Sequence, residues 1–259
     1  MVCVLIERAH QLCQSHISQD GDSLKTFSRR ALLALLVAML LPGCHMAPAP
    51  GAAVQSTGAP SVNTEDLPVL TNSGADSLLV DVRAAAPEIR VGLRYATSDN
   101  FTGAPLPGYE GNRAYLRREA AAALARVAHR AGREGYALHV FDAYRPVRAT
   151  DAMVAWTERV GRQDLIRNGY IASRSRHNLG LAIDLTLVDA RSGTALDMGT
   201  PFDTFSPAAH TAQASGAALE NRLRLKRLMQ SEGFANYDQE WWHYSYSVPN
   251  PVRFDRVIH

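Results

Sequence analysis

Cysteine is nearly missing from this chain. Of 259 residues only three are cysteines, Cys3, Cys13 and Cys44, all in the first fifth of the sequence. Beyond Cys44 no disulfide framework can form, and no thiolate can serve as nucleophile or metal ligand, so a metal site there must use His, Asp or Glu. A charge excess is missing as well: 27 basic against 25 acidic side chains leave a formal net charge of +2. That balance excludes the concentrated basic stripe of a dedicated nucleic-acid binder. Long apolar runs are also scarce. Ala31 to Leu41 is an eleven-residue run, too short to cross a hydrocarbon core that needs about 20 residues.

What is present argues for a folded domain with a leader. An apolar fraction of 46% with 20% charged residues excludes a disordered chain, and the length suffices for a sizeable core. Lys25, Arg29 and Arg30 precede the short apolar run, and Leu41-Pro42-Gly43-Cys44 follows it. A basic stretch, a short apolar core and a small-residue exit make a secretory signal. Gly43-Cys44 after Leu41 resembles a bacterial lipoprotein signal, in which the cysteine becomes the lipidated first residue, although Pro42 is unusual at its place. Ser28-Arg29-Arg30 loosely resembles a twin-arginine signal. The expectation is a leader over 1–44 and an exported, periplasmic protein with a lipid anchor at Cys44; without a working leader the protein is cytoplasmic. Residues 45–74, rich in Ala, Pro, Gly, Ser and Thr, read as a flexible linker, and 75–259 as one folded domain.

Within that domain Leu78 to Val82 and Glu88 to Tyr95 read as strands, and Arg113 to Arg130 as an alanine-rich helix with Leu116, Ala120, Leu124 and Val127 on one stripe. A strand over Tyr136 to Phe141, a helix over Val147 to Arg159, a strand over Leu181 to Val188, a helix over Glu220 to Ser231 and an aromatic strand over Trp241 to Ser247 follow. Helices and strands mix without regular alternation. The expected class is α+β: a single domain with a largely antiparallel sheet flanked by helices.

Three segments carry chemistry. In Ser175-Arg176-His177-Asn178-Leu179-Gly180-Leu181-Ala182-Ile183-Asp184 a histidine in a glycine-containing loop precedes, by seven residues, an aspartate on the polar face of a strand. A carboxylate so close to a core strand costs free energy unless paired or metal-bound. Glu240-Trp241-Trp242-His243 adds a second imidazole and a second acid. Two imidazoles and a carboxylate suit zinc, which takes three protein ligands in catalytic sites and leaves a fourth position open. Glu240 is then free to act as general base. Residues three apart point to opposite faces of a regular strand, so Glu240 must lie in the loop before the strand, or a bulge or turn must re-aim it. The third segment, Tyr144-Arg145-Pro146, places an arginine at a strand end, either to stabilise an oxyanion or simply to pair with Asp142. Each segment alone has a plainer explanation: a single histidine is more often a hydrogen-bonded core or surface residue than a ligand.

Taken together, these residues resemble the zinc-dependent D-alanyl-D-alanine dipeptidases of the VanX type, from about Asp81 to about Phe254. The resemblance includes Tyr95-Ala-Thr-Ser-Asp-Asn-Phe-Thr-Gly103, Gly108-Tyr109-Glu110, Asp142-Ala-Tyr-Arg-Pro146, Met198-Gly-Thr-Pro-Phe-Asp203 and Glu240-Trp-Trp-His243-Tyr. It implies one zinc ion per chain held by His177, Asp184 and His243, with Glu240 as catalytic base and Arg145 stabilising the transition state. It further implies that Asp203 binds the free amino group of the substrate dipeptide, with Ser175 and Tyr95 lining the same site. The implied reaction is hydrolysis of D-Ala-D-Ala to two D-alanines. A D,D-carboxypeptidase acting on longer peptidoglycan peptides, and a zinc-containing binding module without activity, are the alternatives. The leader departs from the cytoplasmic resistance-type relatives and suggests scavenging of cell-wall fragments.

Overall fold

The computed structural model describes residues 67–259, so the expected leader, the lipidation site Cys44 and most of the expected linker lie outside the described residues. Strand β1 (Val69–Leu70) is followed by a single-turn helix α1 (Asn72–Asp76), strand β2 (Leu79–Asp81) and a short helix α2 (Val82–Ala85). Strand β3 (Arg90–Val91) leads to a 3-10 turn at Arg94–Ala96. Strand β4 (Tyr115–Arg117) runs into helix α3 (Arg118–Arg133), then strand β5 (Tyr136–Asp142), helix α4 (Val147–Arg159) and a short helix α5 (Asp164–Arg167). A 3-10 turn at Arg176–Leu179 precedes the eight-residue strand β6 (Ala182–Asp189). Helix α6 (Gly216–Gln230) and strands β7 (Ala235–Asn236), β8 (His243–Ser245) and β9 (Arg253–Phe254) complete the domain.

The central sheet has the order β3-β5-β6-β8-β7. Only the β3–β5 pairing is parallel; β5–β6, β6–β8 and β8–β7 are antiparallel. The architecture is therefore the expected α+β domain with a largely antiparallel sheet. Helix α3 forms from alanine-rich sequence of high helical propensity. It buries Ala120, Ala123, Leu124, Val127 and Ala131, with Glu119 in its first turn and Arg130 and Arg133 in its last, which complements the helix dipole. Strand β6 is buried from Ala182 through Val188, so both faces are covered: Ile183, Leu185 and Leu187 enter the apolar core, while Asp184 and Thr186 face the other way under loops.

Several sequence-based boundaries move. Tyr115–Arg117, expected inside a helix, pairs with β2 in the register Leu79↔Arg117 and Asp81↔Tyr115; the helix begins only at Arg118. Leu116 fits a helical stripe and a strand equally well, and the β2 partner decides. The strand expected over Glu88 to Tyr95 shrinks to two residues, because the Leu93 amide donates to the Asn112 side chain at 3.0 Å rather than to another strand. Trp241 and Trp242 occupy a turn, and the strand starts at His243. Helix α6 begins four residues earlier than expected, at Gly216. The folded part also reaches into the expected linker: Val69 and Leu70 pair in parallel with Arg253 and Phe254.

Candidate metal centre and substrate cleft

Three neighbouring strands place three functional side chains in one row. Asp142 on β5 pairs with Asp184 on β6, and Asp184 pairs with His243 on β8. Directly opposed residues project to the same face of a sheet, and a one-residue register shift in β5 between Val140 and Asp142 sets Asp142 opposite Asp184, so the ladders bring together groups about a hundred residues apart in the chain. His177 joins them from the 3-10 turn before β6. That turn is set by Ser175, whose hydroxyl accepts the His177 amide at 3.2 Å, and by Gly180 in the left-handed region at φ 63°. A Cβ on Gly180 would sit 2.6 Å from Leu79 and 3.2 Å from the Arg117 amide, so only glycine fits this crossing.

The ligand atoms of His177, Asp184 and His243 lie within 4.8 Å of one another. His243 Nδ1 is 3.0 Å from Asp184 Oδ1 and 3.2 Å from His177 Nε2, and His177 Nε2 is 3.4 Å from Asp184 Oδ2. His177 Nδ1 donates to the Ala143 carbonyl at 2.5 Å, which fixes the tautomer and turns the Nε2 lone pair toward the other two groups, as metal-binding imidazoles require. The donor set, two imidazole nitrogens and one carboxylate converging from a buried sheet, fits a divalent cation. Burial pushes the Asp184 carboxyl up, but the two imidazoles outweigh it and hold it well below the usual carboxylate range.

Arg145 and Glu240 flank this cluster. The Arg145 guanidinium donates from Nε to Asp142 at 3.0 Å and lies 2.8 Å from it through Nη2 and 3.8 Å from Asp184. Asp142 is fully buried and also accepts from the Tyr109 hydroxyl at 2.6 Å. Arg145 thus pairs with Asp142, as one of its two sequence readings has it, and also lines the cleft. Asp142 and Tyr109, which the sequence reading did not assign to the site, are the groups that aim it; the signal was their place inside Asp142-Ala-Tyr-Arg-Pro146 and Gly108-Tyr109-Glu110. Glu240 lies in the loop before β8, and the turn closed by the His243 amide donating to the Glu240 carbonyl at 3.3 Å swings its carboxylate to 3.8 Å from His243 Nδ1. This resolves the geometric difficulty of Glu-x-x-His on a strand. Burial pushes the Glu240 carboxyl well up, and the charges of Asp184 and Asp203 push it further.

A cleft of about 280 Å³ joins these groups to Tyr95, Asp203 and Ser175. The volume sits at the small end of ligand pockets. Asp203 takes a left-handed backbone, φ 59°, which is costly for a non-glycine residue and typical of functional positions. Both its carboxylate oxygens accept from the Tyr95 hydroxyl, at 3.1 and 3.2 Å. Burial and then the Asp184 charge push the Asp203 carboxyl well up. All eight sequence-nominated site residues thus share one cleft. His139 pairs instead with the β3 edge, and His210 meets Tyr170 at 3.1 Å.

Comparison with known proteins agrees with this geometry. The model of the M15 peptidase family, described as D-ala-D-ala dipeptidase, matches residues 75–251. A D-alanyl-D-alanine dipeptidase of Enterococcus faecium is 38% identical over 172 residues, covering 60% of this chain and 85% of the relative. Its counterpart in Streptomyces coelicolor is 37% identical over 172 residues, covering 61% and 85%. The one in Escherichia coli is 38% identical over 168 residues, covering 64% and 83%.

Proposed function

The chain belongs to the D-Ala-D-Ala dipeptidase family of M15 peptidases, and from that premise we propose that it hydrolyses D-alanyl-D-alanine to two D-alanines with one zinc ion per chain. The observation that carries the reading is the His177–Asp184–His243 cluster with Glu240 beside it, in one small cleft with Asp203. Those three residues would hold the zinc, which when bound would supply Lewis acidity toward a carbonyl oxygen and lower the pKa of water. Glu240, with its affinity for a proton raised by burial, takes a proton from the attacking water and returns it to the leaving amine nitrogen. Arg145, anchored on Asp142, donates hydrogen bonds to the oxygen on which negative charge develops. Asp203, bonded by the Tyr95 hydroxyl, holds the free ammonium, so an acylated nitrogen leaves a buried carboxylate without its partner and is rejected. Ser175 lines the cleft beside the first histidine.

The leader supports an exported, lipid-anchored enzyme that acts on dipeptide released from the cell wall in the periplasm. Labelled palmitate should enter the full chain and disappear in Cys44→Ala; no label in the unsubstituted chain removes the anchor.

The test of the chemistry uses the zinc-loaded full chain, because β1 lies upstream of the family match. Hydrolysis of D-Ala-D-Ala, absent for N-acetyl-D-Ala-D-Ala and lost on chelation, is the expected result. Cleavage of both peptides replaces the dipeptidase by a carboxypeptidase. Cleavage of neither by the folded, zinc-loaded chain makes this a binding module.

A further inference from the structure

Arg222 on helix α6 is only 1% exposed, yet no carboxylate lies within ion-pair distance of its guanidinium among the described residues. A buried cation is costly unless its donors are met. Here they are met by one loop. Nε donates to the Met198 carbonyl at 2.7 Å, Nη1 to the Ala208 and His210 carbonyls at 3.1 and 2.9 Å, and Nη2 to the Ala208 carbonyl at 3.1 Å and the Thr200 hydroxyl at 3.4 Å. These acceptors bracket Asp203 on both sides.

The same knot reaches the other functional turn. Trp241, adjacent to Glu240, donates its indole N–H to the Thr200 hydroxyl at 2.9 Å and its amide to the Ala209 carbonyl at 3.1 Å, with the Arg222 guanidinium 6.0 Å over its ring. Gly199, at φ 77°, meets α6 closely: a Cβ there would sit 3.0 Å from the Ala218 methyl, a tight contact on a backbone that already disfavours side chains. The segment from Met198 to His210 contains only one 3-10 turn of its own, so contacts from outside hold its shape: Phe202 packs on Tyr95, Phe141 and Trp242 in its middle, and the Arg222 guanidinium ties its two flanks together.

We propose that Arg222 is the positioning residue for substrate selection: it fixes the Asp203 loop against the Glu240 turn, and so sets where the ammonium end of a dipeptide is held relative to the base. Arg222 touches no substrate. This rests on the dipeptidase reading and extends it from Asp203 to the residue that makes Asp203 effective. Lysine keeps the charge but offers three donors without the planar fork, which cannot span four acceptors.

The test is calorimetric binding of D-Ala-D-Ala and N-acetyl-D-Ala-D-Ala to the zinc-loaded Glu240→Gln chain, with and without Arg222→Lys. Expected is a loss of about tenfold to a hundredfold in affinity for the free dipeptide, the scale of a small misplacement of a binding group. Zinc content should be unchanged, and discrimination against the acetylated peptide should collapse. Unchanged discrimination, whether affinities hold or fall in parallel, overturns the proposal and leaves Arg222 a purely structural residue. If Arg222→Lys does not fold, Thr200→Val removes only the hydroxyl shared with Trp241: a smaller loss of discrimination supports the proposal and none overturns it. A Glu240→Gln parent that binds neither peptide overturns both the amine clamp and its positioning residue. The unsubstituted enzyme's hydrolysis assay separates that result from a failure confined to Arg222.

Discussion

The two ends of the cleft are built on different principles. At the metal end, Asp142, Asp184 and His243 stand in one row across β5, β6 and β8, and the backbone ladders of a buried sheet set their separations. At the other end, Tyr95 leaves a 3-10 turn and Asp203 a loop with a left-handed backbone, with order supplied by side chains, among them Phe202 packed on Tyr95 and Arg222 bonded to both flanks of the Asp203 loop. Positions on a packed sheet are inherited from the core, whereas positions on a loop must be made by dedicated contacts. On the proposed assignment the metal end governs whether the peptide bond is cut, and the loop end governs which peptide is admitted.

The largest effects should fall at the metal end. On the proposed assignment His177→Ala removes one of three metal ligands, and both bound metal and turnover should be lost. Glu240→Gln keeps the ligands, so zinc content should be unchanged while kcat falls by about 10²–10⁴, the range for a lost general base. Metal analysis alongside steady-state kinetics distinguishes the two. A fully metallated, active His177→Ala enzyme would remove that residue from the ligand set, and kcat within severalfold of normal in Glu240→Gln would remove the base.

Asp203→Asn should break the other end. Expected is a rise in KM for the free dipeptide of about tenfold or more with a smaller change in kcat, and loss of the preference over the N-acetylated analogue. The pH profile gives the sign. Burial, reinforced by Asp184, raises the Asp203 carboxyl, so at low pH it holds a proton and cannot pair with an ammonium. Affinity should rise as pH climbs through the folded carboxyl's pKa, then fall as the dipeptide's own amine deprotonates near about 8. Asparagine has no such proton, so the acid limb of 1/KM should vanish; an unchanged limb would place the titration elsewhere.

The same division explains what the sequence made visible. His177, Asp184, Glu240 and His243 sit in two short contiguous segments, and strand periodicity already pointed Asp184 away from the apolar face. The alternation of β6 and the span of α4 are local properties, and Val147–Arg159 emerges with the expected bounds. What stayed hidden depends on partners distant in the chain. Tyr115–Arg117 is a strand because β2 lies beside it, and Val69–Leu70 is ordered because β9 returns to it. Arg222 looks like any arginine on an amphipathic helix, since its acceptors are backbone carbonyls that no residue pattern records. Trp241 and Trp242 have strand composition, but the turn that aims Glu240 outweighs their propensity.

Tyr95→Phe is the smallest and sharpest probe of the loop end. The ring is wedged among Phe101, Tyr109 and Phe202 at centroid separations of 6.0–6.1 Å and lies under the Arg145 guanidinium at 5.0 Å, and phenylalanine keeps that packing. Only the hydroxyl is lost. It is protonated, because burial followed by the Asp203 charge pushes its own pKa well up, and so it donates to Asp203. Losing one such bond should cost about 1 kcal/mol, roughly fivefold in KM, with kcat nearly unchanged. The bond also favours the ionised carboxylate, so without it Asp203 should bind its proton more tightly and the acid limb of 1/KM should move to higher pH. A rise in KM without that movement would mean that Tyr95 contacts the dipeptide directly rather than tuning Asp203. With neither change, the ammonium site would rest on the backbone that Arg222 holds, and the loop end would owe its selectivity to position alone.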